Sequence, residues 1–234
     1  MQFRCLFHLH TRHSFDSFLP PRKIVARARE LKIDALIVTD HNTIKGSLET
    51  KLVSQGYPPL VIVAAEYQSE KGDIIGLFLQ KEILTRESSL IVRQIHEQGG
   101  LVVLPHPFKG HKLDDELLSS VDMIETYNSR CSSEENDRAR QLAQDCKLPE
   151  IAGADAHCFA ELDAALNKYP ETHAGNEVEL RALLLNAPRK FITQRTSPAC
   201  RPYSQLIKAV KTKNPNLFLH QAKRLVLTLA RGER

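Results

Sequence analysis

Short apolar runs that alternate with helix-like segments are the feature that most constrains the fold of this chain. The runs have the length of buried strands and lie at residues 2–7, 35–38, 60–65, 73–79, 101–104 and 121–128, with a last one from 150. Helix-like segments at 21–31, 44–55, 88–98 and 133–147 separate most of them. Strand and helix alternate at least six times, which predicts an α/β fold with a parallel sheet.

Polar residues follow the predicted strands at their carboxyl ends. Closed βα barrels and open doubly wound sheets both bind ligands at that edge. The glycine-rich fingerprints of nucleotide-binding sheets, GxGxxG and GxxxxGK[ST], are absent from the sequence. We therefore expect a closed TIM-like barrel, ending near residue 195 after a short run at 190–193.

His8 and His10 stand where the first predicted strand meets its loop. Because side chains alternate along a strand, both imidazoles are expected on one face, about 7 Å apart, which suits one divalent metal. A single His-x-His pair is equally typical of two partly buried, hydrogen-bonded histidines. The same residue types at four more strand ends favour a metal site.

Imidazole and carboxylate groups make up the set of polar residues at the strand ends. The set comprises His8, His10, Asp16, Asp40, His41, Glu66, His106, Asp155 and His157. Such a set, without cysteine, suits Zn, Mn or Fe better than a structural zinc site or a calcium site. Nine groups exceed the needs of one ion, so we expect a cluster of two or three.

Five motifs occur along the chain in a characteristic order. They are His8-x-His10 with Asp16, Thr39-Asp40-His41, Glu66, Pro105-His106-Pro107 and Gly153-Ala154-Asp155-Ala156-His157. In order and approximate spacing this set resembles the PHP family, the polymerase and histidinol phosphatase superfamily, over about residues 1–195. The resemblance implies a distorted (β/α)7 barrel and metal-dependent hydrolysis of phosphate esters, with members acting on histidinol phosphate, nucleotides or nucleic acid ends.

The resemblance also implies how the ligands are shared between ions. His8, His10, Glu66 and Asp155 would hold one metal, Glu66 and His106 a second, and Asp16, His41 and His157 a third. Many family members place a histidine shortly after the glutamate, where this chain has Gly72-Asp73. The second ion would accordingly use Asp73 or be held incompletely, so the expected cofactor is two or three divalent ions.

Residues beside these motifs are candidates for catalysis or substrate binding. Asp40 would orient a ligand histidine or act as a general acid or base. Arg12 and His13 in the first loop would bind phosphate or transfer a proton, although a mobile surface loop has the same composition. Asn128 and Arg130 follow a strand end and are expected to contact substrate.

Positive charge is concentrated at the carboxyl-terminal end of the sequence. Residues 189–234 hold 11 Lys or Arg and 1 Asp or Glu, whereas residues 1–188 hold 21 and 27. The basic segment 196–234 has apolar residues at helical spacing over 204–211 and 217–230, which predicts helices that dock on the barrel or on a second copy of the chain. Its charge favours phosphates, nucleic acid or another subunit as partners, or a solvated helix face.

The leading functional hypothesis is a metal-dependent phosphoesterase that acts on a small phosphorylated metabolite, a nucleotide or a nucleic acid end. An amidohydrolase also begins with His-x-His, but it usually needs a lysine at a strand end, which this sequence lacks. A non-catalytic metal-stabilised module is the other alternative. Five cysteines without a CxxC pair, and no long apolar stretch, predict a cytoplasmic chain without a membrane partner.

Overall fold

The computed structural model describes residues 2–170 and 173–231, which form a mixed α/β fold. The strands are β1 (Gln2–Leu9), β2 (Ala35–Val38), β3 (Leu60–Ile62), β4 (Ala64–Ser69), β5 (Gly72–Leu77), β6 (Leu101–Leu104), β7 (Met123–Asn128), β8 (Glu150–Gly153), β9 (Ala165–Pro170) and β10 (Lys190–Thr193). The helices are α1 (Pro21–Glu30), α2 (Lys45–Ser54), α3 (Ser88–Glu97), α4 (Asp115–Ser120), α5 (Ser133–Cys146), α6 (Glu177–Asn186), α7 (Cys200–Lys211) and α8 (Pro215–Ala230).

The strands pair into two five-stranded sheets, in the orders β10-β9-β1-β2-β3 and β4-β5-β6-β7-β8. Isolated bridges join the sheets at two places, between Leu9 and Ala156 and between His41 and Glu66. The β1-β2, β2-β3, β6-β7 and β7-β8 pairs are parallel. The other four pairs are antiparallel, so the sheets are mixed rather than parallel as the sequence predicted.

The antiparallel pairing of β4 with β5 has a simple cause. Only two residues separate Ser69 from Gly72, and a parallel return needs a crossover of roughly a dozen or more. The strand predicted at 60–65 is interrupted at Val63, and the chain begins a new strand at Ala64. Glu66 therefore lies inside β4 rather than at a strand end, which corrects the sequence prediction.

Both faces of β1 and β2 are largely buried, as the uninterrupted apolar sequence of β2 predicts. One face contributes to a cluster that includes Phe7, Ile37 and Ile75 and so contains side chains from both sheets. The other face packs Leu36 against Ile24 of α1. The central strands are thus fixed from both sides, and the residues at their carboxyl ends have a rigid support.

The two helices of the basic tail follow β10, and each begins a few residues earlier than predicted. Helix α7 starts at Cys200, inside the segment interpreted as a linker, and α8 starts at Pro215. Helix α7 lies against the loop after β1, where Lys211 donates hydrogen bonds to the carbonyls of Arg12, Ser14 and Ser17. The tail is therefore attached to the loop that carries the first predicted site residues.

Helix α8 has a different environment from α7. Gln221 is its buried residue, while Leu219 and Val226 are 69% and 65% exposed. Association of two copies through this helix stays a prediction. Within the described part of the chain, no helix combines the length and apolar character that crossing a membrane requires.

Candidate metal centre

His8 and His10 emerge from β1 at a bulge that changes the direction of the strand. The pairing register with β2 shifts between Phe7 and Leu9, and His8 has a φ of 65°. Bulges commonly redirect a side chain beside a functional site. Both imidazoles are fully buried, and their ring centroids lie 5.2 Å apart.

Eight of the nine predicted metal ligands come together at the carboxyl-terminal edge of the sheets. Their nitrogen and oxygen atoms fall into three groups, each within 4.8 Å: His10, Asp16, His41 and His157; His8, Glu66 and His106; and His8, His10 and Asp155. His8 belongs to the second and third groups, and His10 belongs to the first and third. Side chains from five separate stretches of sequence thus surround one buried volume.

Hydrogen bonds to Nδ1 determine which nitrogen of three histidines faces this volume. His8 Nδ1 lies 2.7 Å from Glu125 Oε1, and His157 Nδ1 lies 2.8 Å from the carbonyl oxygen of Asp155. His10 Nδ1 lies 3.1 Å from Ser14 Oγ, whose hydroxyl donates to Asp40. Each acceptor selects the tautomer with the proton on Nδ1, which leaves Nε2 with a lone pair for a cation.

Several buried nitrogen and oxygen atoms of these residues form no hydrogen bond. They include His8 Nε2, which lies 3.4 Å from Glu66 Oε1, and His10 Nε2, which lies 3.5 Å from Glu66 Oε2. Burial of such atoms is costly unless another group satisfies them. Imidazole nitrogens and carboxylate oxygens together are ligands of Zn, Mn and Fe, so the residues present fit divalent transition metals.

The electrostatics of the cluster favour added positive charge. Burial acts to raise the pKa values of Glu66 and Asp155, but nearby cationic groups, His8 for Glu66 and Lys109 for Asp155, hold them well below their usual range. Burial acts to lower the pKa of His8, but Glu125, Glu66 and Asp155 outweigh it and raise that pKa well above its usual value. The carboxylates therefore stay charged and attract either protons or metal cations.

Two buried carboxylates support the ligands from behind. Asp40 accepts hydrogen bonds from the Thr11 amide and hydroxyl and from Ser14, at 2.6–2.7 Å. Glu125 accepts from the His106 amide at 2.8 Å and from Asn128 Nδ2 at 2.9 Å, besides its contact with His8. The structure thus gives Asp40 an orienting contact to His10 through Ser14, and its predicted acid-base role stays a prediction.

A glycine accommodates each of these supporting carboxylates. A Cβ atom at Gly46 would collide with the Asp40 carboxylate, and one at Gly153 would collide with that of Glu125. The sequence analysis missed Glu125, although a lone glutamate inside an apolar strand is a signal of a buried polar partner. The pairing of Glu125 with His8 spans 117 positions and has no local sequence pattern.

Three candidate ligands have a backbone conformation that is uncommon for residues other than glycine. The φ angles are 65° at His8, 28° at His106 and 48° at Asp155. Positive φ values cost free energy and persist where the surrounding structure imposes them, often at functional sites. Their concentration among the candidate ligands supports the assignment of this edge as the functional site.

Asp73 is the predicted ligand that lies outside the three groups. It is partly buried, and burial together with the charge of Glu66 raises its pKa. Its backbone carbonyl accepts a hydrogen bond from Nε2 of His111, whose ring lies 5.6 Å from that of His106. Metal coordination by Asp73 stays a prediction.

The predicted catalytic and substrate residues have other partners in this structure. Arg12 and His13 both contact the Glu49 carboxylate at 2.7 Å, on the solvent side of the first loop. Asn128 is buried against Glu125. Arg130 donates to both oxygens of Glu161, at 2.7 and 2.8 Å. The roles of these four residues in catalysis or substrate binding stay predictions.

Lys109 lies beside the candidate ligand Asp155. Its Nζ is 3.2 Å from Asp155 Oδ2, and the side chain is 30% exposed. Asp155 outweighs the effect of burial and raises the pKa of Lys109. The cluster therefore has a cationic group at its solvent-facing side.

Comparison with protein families assigns this arrangement. The model of the PHP domain matches residues 7–171, a range that holds all eight clustered side chains. The chain belongs to the PHP domain family. The match confirms the resemblance that the five motifs indicated, and the basic tail lies beyond the matched PHP range.

Two relatives of this PHP protein are uncharacterized proteins of Methanocaldococcus jannaschii. One is 34% identical over 140 residues, covering 52% of this chain and 81% of the relative. The other is 30% identical over 186 residues, covering 73% of this chain and 71% of the relative. Both alignments include most of the relative's own length.

Three solved structures share the fold of the PHP chain at low sequence identity. PsfC from Pseudomonas syringae has a TM-score of 0.64 at 15% identity and covers 89% of this chain and 98% of its own. A candidate metal-dependent phosphoesterase from Bifidobacterium adolescentis has a TM-score of 0.55 at 16% identity and covers 66% of this chain and 87% of its own. An amidohydrolase from Chromobacterium violaceum, solved with sulfate, has a TM-score of 0.58 at 14% identity and covers 68% of this chain and 89% of its own.

Proposed function

We propose that this PHP protein is a metal-dependent hydrolase of phosphate esters with two or three divalent Zn, Mn or Fe ions. The observation that carries the proposal is that His8 Nε2 and His10 Nε2 are buried, form no hydrogen bond and face the Glu66 carboxylate at 3.4 and 3.5 Å. Hydrogen bonds at Nδ1 hold the imidazoles of His8 and His10 in the tautomer whose Nε2 can bind a cation. Membership of the PHP family and the description of the Bifidobacterium protein support the same chemistry.

A phosphate ester is the substrate class that suits this charge distribution. Bound divalent ions neutralise phosphoryl oxygens and lower the pKa of a bound water to about 7, which supplies the nucleophile. In the family pattern, His8, His10, Glu66 and Asp155 would hold one ion, Glu66 and His106 a second, and Asp16, His41 and His157 a third. The structure groups the same side chains differently, with His8 beside Glu66 and His106, and His10 beside Asp16, His41 and His157. Glu66 places Oε1 3.1 Å from His106 Nε2 and Oε2 3.5 Å from His10 Nε2, which supports a bridging role.

The chain's own residues would prepare the site for this reaction. Glu125 and the Asp40–Ser14 pair fix the imidazoles before substrate arrives, so little reorganisation is needed. Lys109 Nζ, beside Asp155, would attract an anionic group to the open side of the cluster. Arg12, His13, Asn128 and Arg130 would assist substrate binding only if they exchange their present partners.

The proposed fold of the site is the distorted (β/α)7 TIM-like barrel of the family. Hydrogen bonds between the sheets support this arrangement: the Ala154 amide donates to the Phe7 carbonyl, and the Glu66 amide donates to the Asp40 carbonyl. Both links lie beside candidate ligands. A barrel that closes at these positions would bring the strand ends into one rim.

The direct test is hydrolysis by metal-stripped protein reconstituted with Mn²⁺, Zn²⁺ or Fe²⁺. We expect release of nitrophenol from p-nitrophenyl phosphate, from its bis ester, or from both, and no cleavage of p-nitroacetanilide. The Asp155→Asn variant should lose at least a thousandfold in kcat/KM, because its ligand group loses a charge. Asp145→Asn, an exposed change on α5, should match the wild type.

The two alternative functions give different results in this experiment. Cleavage of the anilide with inert phosphate esters would favour an amidohydrolase. Fully metal-loaded protein that cleaves neither class would favour a non-catalytic module. Unchanged phosphatase activity in Asp155→Asn would contradict the site assignment.

A further inference from the structure

Five arginines line a cavity of about 480 Å³ between the barrel and the basic tail. Arg130 comes from the turn after β7, Arg195 and Arg201 from the segment that leads into α7, and Arg224 and Arg231 from α8 and its end. Hydroxyl groups of Ser197 and Thr228 also face it. No Asp or Glu lines the cavity among the residues that the structure describes.

Four of these guanidinium groups form no ion pair in the described part of the chain, although Arg201 acts to lower the pKa of the Glu135 carboxyl. Arg130 is neutralised by Glu161, with which it forms two hydrogen bonds at 2.7 and 2.8 Å. Arg195, Arg201, Arg224 and Arg231 are exposed, and none forms an ion pair within the described ranges 2–170 and 173–231. Like charges gathered in a concave surface repel one another, and an anion bound between them relieves that repulsion.

Hydrogen bonds connect the wall of the cavity to the candidate metal centre. Ser129, in its wall, donates a hydrogen bond to the carbonyl of Ala154, the residue before the ligand Asp155. Glu161, which holds Arg130, also accepts from the backbone amide of the ligand His157 at 2.9 Å. Lys109, which contacts Asp155, also interacts electrostatically with Cys131 in the cavity wall.

We propose that the arginine cavity binds a second phosphate group of the substrate, separate from the ester that the metal centre hydrolyses. Guanidinium groups bind phosphate oxygens in a bidentate manner, and hydroxyl groups add donors. The volume falls in the range of roughly 300–1,000 Å³ typical of small-molecule pockets, which favours a compact bisphosphorylated compound over a nucleic acid strand. This inference rests on the proposed phosphate-ester hydrolysis.

The first test measures binding without catalysis. Inorganic pyrophosphate is titrated into the full-length, metal-stripped protein and followed by calorimetry at low ionic strength. We expect one saturable site whose affinity falls at least tenfold in Arg201→Gln/Arg224→Gln. The matched control Arg22→Gln/Lys23→Gln removes the same charge from the exposed face of α1 and should leave the affinity unchanged.

Equal weakening in the two double variants would overturn the proposal, because it would show a general charge effect. Absence of saturable binding to the wild type would also overturn it. Circular dichroism checks that all variants keep the wild-type fold, which is expected because the substituted side chains are exposed. A tighter, strongly salt-dependent affinity for a single-stranded oligonucleotide would replace a small ligand by nucleic acid.

The second test connects the cavity to turnover. In metal-reconstituted protein we expect kcat/KM for fructose 1,6-bisphosphate to exceed that for fructose 6-phosphate at least tenfold. Arg201→Gln/Arg224→Gln should reduce this ratio at least tenfold, mainly through KM. A wild-type ratio near one, with pyrophosphate still bound, would assign the cavity to free phosphate and overturn the substrate role. If no ester is hydrolysed, the proposed function fails, while the calorimetry still decides whether the cavity binds anions.

Discussion

At the scale of single residues, the metal centre depends on groups that do not themselves face the ligand cluster. Glu125 and Asp40 are fully buried, and their hydrogen bonds set the orientation of His8 and of the loop after β1. A substitution that keeps the shape of such a carboxylate and removes its charge distinguishes its orienting role from its contribution to packing. Two predictions follow from this division between ligands and supports.

Glu125→Gln should weaken metal binding about 10–100-fold, because the amide cannot enforce the Nδ1-protonated tautomer of His8 as the carboxylate does. Metal affinity measured by competition with a chromogenic chelator checks this expectation. Glu97→Gln, an exposed change on α3, is the matched control. An affinity equal to that of the wild type would show that the contact between Glu125 and His8 does not prepare the site.

Gly153→Ala should destabilise the protein by about 1–3 kcal/mol and weaken metal binding, because its Cβ would displace the Glu125 carboxylate. Urea unfolding and the same chelator assay measure the two effects. Gly56→Ala is the control that adds a methyl group without a steric clash, because a Cβ there meets no atom within 4 Å. The φ of +74° at Gly56 adds backbone strain to this variant. Loss of stability without loss of metal affinity in Gly153→Ala would contradict the proposed support.

At the scale of elements, helix α7 joins the basic tail to the metal centre. Lys211 Nζ donates to three carbonyls of the first loop, at 2.6–2.7 Å. Lys208 lies 4.7 Å above the ring of Phe15, and that ring stacks on the ligand His41 at 4.6 Å. The helix therefore restrains the loop that carries Asp16.

Lys211→Met should lower the free energy of unfolding by about 2 kcal/mol, because three carbonyls lose a charged donor. It should also reduce the metal content, since Asp16 belongs to the restrained loop. Urea unfolding and elemental analysis measure both quantities, with Lys223→Met on α8 as the exposed control. Wild-type metal content in Lys211→Met would show that α7 packs against the rest of the fold without affecting the candidate metal centre.

Part of this element-scale organisation could be predicted from the sequence, because it depends on local patterns. The helix-like segments of the sequence indicated α1, α2, α3 and α5 to within a few positions. Strand β9 and helix α4 were missed, since neither carries a strong period. The attachment of Lys211 to Arg12 joins residues 199 positions apart, and nothing in either local sequence encodes it.

At the scale of the whole molecule, the chemistry was easier to predict than the geometry. His8, Glu66, His106 and Asp155 were identified as candidate ligands by residue type and order, and the fold brings their functional groups together. The antiparallel course of β4 and β5 was not identified, because an apolar run shows burial without strand direction. The arginine cavity was not identified either, since it combines side chains from three distant segments.

The central claim is that the clustered histidine and carboxylate side chains bind several divalent cations. Elemental analysis of purified protein, after dialysis against metal-free buffer, tests it most directly. We predict at least two equivalents of divalent transition metal per chain, falling by at least one in His8→Ala while Asp145→Asn keeps the wild-type value. Less than one equivalent in the wild type, even after incubation with Mn²⁺, Zn²⁺ and Fe²⁺, would contradict the claim.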